Sequence, residues 1–108
     1  MSTTELDLLK VPQQRRRLAA LCARFGVRRL GLFGSAATGD FDPLRSDVDF
    51  IVEFVSVQGL RPAEQFFGFR DELAALFGRD VDLLERSAIR NPYLRRSIEA
   101  AEVLLYGA

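Results

Sequence analysis

Histidine and tryptophan are absent from the 108 residues, and cysteine and lysine occur once each, as Cys22 and Lys10. Without histidine, imidazole acid–base catalysis is excluded and the commonest zinc ligand is gone. A metal bound to this chain must be a hard cation held by carboxylates, as Mg²⁺ or Mn²⁺ is. A single cysteine excludes an internal disulfide and agrees with a reducing cytoplasm. No apolar run approaches the ~20 residues of a membrane-spanning helix. The acidic, amphipathic start over residues 1–10 lacks the apolar core of a signal peptide. Charge of one sign is lacking too: 15 basic and 15 acidic residues cancel, so nothing in the totals calls for a nucleic-acid or membrane partner.

What is there is an ordinary globular composition, 48% hydrophobic and 28% charged. The length points to one domain, a core over residues 12–108 behind a lead-in over 1–11. The basic residues are almost all arginine. Arg15, Arg16 and Arg17 precede the apolar stripe of the first helix and read as a solvated face rather than an anion patch.

Hydrophobic spacing predicts the elements in turn. Pro12 opens a helix whose stripe is Leu18, Leu21, Cys22 and Phe25, stopped by Gly26. Residues 28–33 read as a strand ended by Gly34-Ser35, and residues 35–38 as a single helical turn. Residues 47–54 are the clearest strand: Val48, Phe50, Val52 and Phe54 share one face, and Asp47, Asp49, Ile51 and Glu53 the other. A helix follows over 62–77, with Phe66, Phe69, Leu73, Leu76 and Phe77 as its buried stripe. Residues 80–85 make a strand and 87–101 a helix with a break at Asn91-Pro92. Residues 102–106 make a last strand. The fold class expected is α/β (α+β): a small mixed sheet of about four strands with helices mainly on one face. The short link between the first two strands holds no full helix, which suits an antiparallel pair.

Asp47 and Asp49 lie two apart on a strand and point the same way, roughly 6.5–7 Å apart along the chain. Two carboxylates ~5 Å apart at an effective dielectric near 20 repel by about 3 kcal/mol. A strand gains nothing from that unless a divalent cation reverses the sign. Asp82 shares a face with Asp80 and Leu84. If its strand pairs with 47–54, Asp82 completes a three-carboxylate cluster and can accept the proton of an attacking hydroxyl. Asp80, at the mouth of the strand, reads as a turn cap. Gly34 and Ser35 end a strand ahead of a helical turn, a place where backbone N–H groups and a hydroxyl converge on a phosphate.

The text Gly34-Ser35-Ala36-Ala37-Thr38-Gly39, then Ser46-Asp47-Val48-Asp49-Phe50-Ile51-Val52, then Val81-Asp82-Leu83-Leu84 resembles the DNA polymerase beta-type nucleotidyltransferase superfamily. Within it the chain most resembles the minimal nucleotidyltransferase (MNT) branch, over about residues 12–106. The resemblance implies transfer of a nucleoside monophosphate from an NTP, ATP above all, with two Mg²⁺ ions or Mn²⁺ in their place. It makes Asp47, Asp49 and Asp82 the metal ligands and catalytic acids, and Gly34 and Ser35 the triphosphate grip. It further implies a HEPN-domain toxin as partner, disabled by AMP added to a tyrosine, and it admits a homodimer or a hetero-oligomer with that partner. Thr38, third in the nucleotide-binding set, stands where the family usually has arginine. A threonine hydroxyl cannot replace the charge-assisted bonds of a guanidinium to a terminal phosphate. Arg45 and Arg79 are the candidates to compensate. The rival expectation is a transferase-fold antitoxin that acts by contact alone.

Overall fold

The computed structural model describes residues 12–33 and 48–107. The elements in chain order are α1 (Pro12–Arg24), β1 (Val27–Phe33), β2 (Val48–Phe54), α2 (Pro62–Phe77), β3 (Val81–Glu85), a 3₁₀ turn (Arg86–Ala88), α3 (Pro92–Ala101) and β4 (Val103–Tyr106). The four strands form one mixed sheet in the order β3-β2-β1-β4. β1 runs antiparallel to β2 and β4, while β2 and β3 are parallel, as a crossover through a helix requires. The expected helical turn at 35–38 lies outside the described residues.

Alternation sorts the sheet into two chemically different faces. Leu30, Leu32, Val48, Phe50 and Val52 point to one side and are closed off by Leu18, Leu21 and Cys22 of α1 and Phe69, Leu73 and Phe77 of α2. Phe50 and Phe69 have no exposed surface at all. Each such side chain contributes roughly 1.5–3 kcal/mol of burial free energy. Ile51 projects to the other side and meets Ile89 and Ile98 under α3, with Phe33 and Leu84 beside them. Two of the three helices thus share one face, and α3 covers part of the second.

Local chemistry explains the boundaries. α2 starts on Pro62 and stops at Gly78, whose left-handed φ of 69° lets its N–H donate to Ala74 O at 2.8 Å. α3 starts at Pro92 because the Asn91 side chain accepts the N–H groups of Tyr93 and Leu94 at 2.9 and 3.3 Å. The expected helix over 87–101 therefore divides at Asn91-Pro92, with only the 3₁₀ turn on the near side.

The stripe of α2 differs from expectation at two positions: Leu76 is only partly buried, and so is Phe66. Gln65 takes the deep position instead of Phe66. The Gln65 amide donates to Phe25 O at 2.7 Å and to Val55 O at 2.8 Å. Those two carbonyls belong to turns that no sheet ladder satisfies, so an amide outcompetes an aromatic ring there.

Cys22 is fully enclosed by this core, and burial pushes its thiol up from about 9 to about 12. The thiol is neutral in the folded chain but ionises in the unfolded chain above about pH 9. Its contribution to stability is therefore intact below pH 9 and lost as pH rises toward 12. Native protein at pH 8 is expected to resist iodoacetamide and to react stoichiometrically in guanidinium. Rapid labelling without denaturant would contradict this burial.

Gly31 lies mid-strand in β1, where a Cβ would overlap the Glu102 carboxylate packed on the sheet. Overpacking of this kind costs about 1–3 kcal/mol. Gly31→Ala is expected to lower Tm by roughly 10 °C, and an unchanged melting curve would refute the close approach.

Candidate active site

The register of β2 and β3 brings the expected acids together. Asp49 and Asp82 are direct Cα partners in the parallel ladder. Neighbouring strands lie about 4.8 Å apart, and partners in register project to the same face. Asp49 is half-buried and Asp82 exposed, so the pair sits where an apolar sheet gives way to solvent. On its other side Asp49 lies opposite Phe33, the last residue of β1. Phe33 immediately precedes Gly34 in the chain.

Asp47, Gly34, Ser35, Thr38 and Arg45 lie outside the described residues. Among the described residues, no group of three or more histidine, cysteine or acidic side chains is gathered closely enough to hold a metal. The two carboxylates that are paired do fit a hard divalent cation. They are all-oxygen donors of like charge on one face of adjacent strands, the donor set a hard divalent cation prefers.

Asp80 behaves differently from Asp82. It precedes β3, and its carbonyl accepts the Val48 N–H at 3.4 Å, tying the starts of β2 and β3 together. Asp80 and Asp82 nevertheless line one polar cleft of about 340 Å³, closed on the other side by Arg70, Asp71 and Ala74 of α2. Arg70 was not legible as a site residue, because in sequence it is one more arginine on the outer side of a helix. The fold alone places it beside an acid of the next strand. Arg79, a candidate to compensate for Thr38, is half-buried at the end of α2, and its N–H donates to Ala74 O at 3.1 Å.

The opposite end of the same face carries a different constellation. Arg86, with 9% of its side chain exposed, forms an ion pair from Nε with Glu53 Oε1 at 3.0 Å and donates from Nη1 to Glu99 Oε2 at 2.9 Å. Its Nη2 meets Glu102 Oε1. Arg29 approaches the other oxygen of Glu102 at 3.4 Å, and Glu102 is only 2% exposed. This cluster joins β2, the 3₁₀ turn, the end of α3 and the start of β1. Its arginines and glutamates face one another across these elements, which makes it a structural clamp.

A mixed sheet with two acids in register at the adjacent ends of β2 and β3 defines an α/β core of the nucleotidyl-transfer type. The model of the nucleotidyltransferase domain family matches residues 15–105, and the chain belongs to that family. A Methanocaldococcus jannaschii protein named "putative protein adenylyltransferase" is 37% identical over 83 residues, 77% of this chain and 79% of that protein. A solved "putative minimal nucleotidyltransferase" superposes with a TM-score of 0.73 at 29% identity, over 95% of this chain and 98% of that one. The MNT antitoxin bound to a tri-AMPylated HEPN toxin, from Shewanella oneidensis, shares the fold with a TM-score of 0.60. That match has 18% identity and covers 89% of this chain and 71% of that one. No described helix is long and apolar enough to cross a membrane.

Proposed function

We propose that this chain is a Mg²⁺-dependent protein adenylyltransferase that moves AMP from ATP to a hydroxyl of a HEPN-domain toxin, a tyrosine above all, as the antitoxin of the pair. The observation that carries the reading is the register of Asp49 with Asp82. The names of its relatives point the same way, and the Shewanella oneidensis complex supplies the partner class and the modification. The same reading sets the reaction in the cytoplasm.

In this scheme Asp49 and Asp82, with Asp47, would hold divalent ions, which when bound would supply charge neutralisation for the triphosphate. Gly34, Ser35 and Thr38 grip the triphosphate. The acceptor oxygen forms a bond to the α-phosphorus, the bond to the bridging oxygen breaks, and pyrophosphate leaves. Asp82, the more exposed acid, receives the hydroxyl proton.

Thr38 favours a second reading, in which the chain neutralises its partner by contact and transfers nothing. The two separate in a labelled-NTP assay with the partner protein, Mg²⁺ and each of the four ribonucleotides. Label from ATP in preference to the others supports the proposal. Tight complex formation with no label from any nucleotide supports contact alone.

A further inference from the structure

We propose that the cleft between α2 and the edge strand β3 is the acceptor pocket, and that Arg70 is the residue that positions the acceptor polypeptide there. This inference rests on the transferase reading above and adds where the protein substrate docks.

The order of elements across the sheet carries the argument. β2, with Asp49, is interior, flanked by β1 on one side and by β3, with Asp82, on the other. The strand toward which the nucleotide is assigned is β1. An acceptor attacking in line must come from the side away from the departing pyrophosphate. That side is the β3 edge, and the cleft there begins at Asp82 itself.

Size and lining agree. About 340 Å³ is at the low end for ligand clefts, room for one side chain with its flanking peptide groups rather than for a whole nucleoside triphosphate. The lining is Asp71, Asp80, Asp82 and Arg70 with only Ala74 and Val81 between them. Such a polar surface suits peptide groups and a hydroxyl better than a purine. Among the described residues, Arg70 is the one basic residue in it.

Arg70 is held but not consumed. Its guanidinium stacks over the Phe67 ring at 4.9 Å and meets Asp71 Oδ1 at 3.5 Å, yet the side chain stays 42% exposed. Stacking restrains the planar group and leaves N–H donors free to meet backbone carbonyls of an incoming segment. Phe67 is itself half exposed, at 50%. Core packing gives no reason for an aromatic there; a platform under Arg70 does.

The test uses the full chain, isotope-labelled, titrated by NMR with the peptide N-acetyl-Gly-Tyr-Gly-amide and, separately, with Mg²⁺-ATP. The peptide is expected to shift the amides of residues 70–74 and 80–82 most. Arg70→Ala should weaken peptide binding at least fivefold and leave the ATP affinity within twofold, and Arg70→Lys should recover part of the loss. Peptide shifts centred elsewhere, no peptide binding, or a loss of ATP affinity in Arg70→Ala would each overturn the proposal. The readout is binding, so it is independent of catalysis. A chain that transfers nothing but passes this test refutes the transferase reading and leaves the cleft a peptide-docking groove; one that transfers AMP but fails it keeps the transferase reading and overturns the pocket.

Discussion

Asp49→Asn is expected to lower AMP transfer to the partner by about 100- to 1,000-fold while leaving the fold intact. The magnitude follows from the carboxylate's task. Phosphoryl transfer depends on positioning and charge neutralisation, and loss of one such electrostatic contact typically costs about 3–4 kcal/mol of transition-state stabilisation. Asn has nearly the same shape, so the packing beside Phe50 and Ile51 survives. The variant is expected to keep a cooperative melting transition, so lost activity in a folded chain separates a functional carboxylate from a structural one. A variant that transfers AMP at the wild-type rate removes Asp49 from the mechanism.

Arg86→Ala is expected to have the largest effect on stability, about 3–5 kcal/mol. The chain is small, and a loss of that size consumes much of a total that is typically about 5–15 kcal/mol. Three carboxylates converge on this one guanidinium, and among the described residues Glu102 would keep only Arg29 at 3.4 Å. An acid 2% exposed cannot recover its hydration by turning outward. Arg86→Lys should lose less, because one ammonium still supplies charge but cannot reach three acids in a fixed fork. The double variant Arg86→Met, Glu102→Leu removes both buried charges and should recover a large part of the loss. Urea denaturation of the three variants checks this ranking. Equal stability of Arg86→Ala and wild type would show that the clamp contributes nothing.

Most of the fold was legible because its signals are local. Alternation through Val48, Phe50 and Val52 announced a strand, and Pro62 with Gly78 bounded a helix. The pairing of β1 with β2 could be argued from the short link between them, which holds no full helix. Asp82 was legible as a candidate only on the condition that its strand lay against β2, and the register of Asp49 with Asp82 meets that condition. What sequence could not give was tertiary. Gln65 reads as a polar position on a helix until the Phe25 and Val55 carbonyls are placed beside it. The meeting of Arg86, Glu99 and Glu102 could not be read from the chain, because periodicity carries no information about partners across a sheet. Arg70 was hidden for the same reason: nothing in its neighbourhood along the chain announces the strand it faces.

The central claim is that Asp49 and Asp82 serve one metal-dependent transfer site. The most direct measurement is the intact mass of the HEPN-domain partner after incubation with this chain and ATP, with Mg²⁺ or with excess chelator. The account predicts one or more AMP increments on the partner with Mg²⁺ and none with chelator, and none in either case for Asp49→Asn or Asp82→Asn. An unmodified partner in the presence of wild-type chain, ATP and Mg²⁺, or increments that survive the loss of either carboxylate, would contradict it.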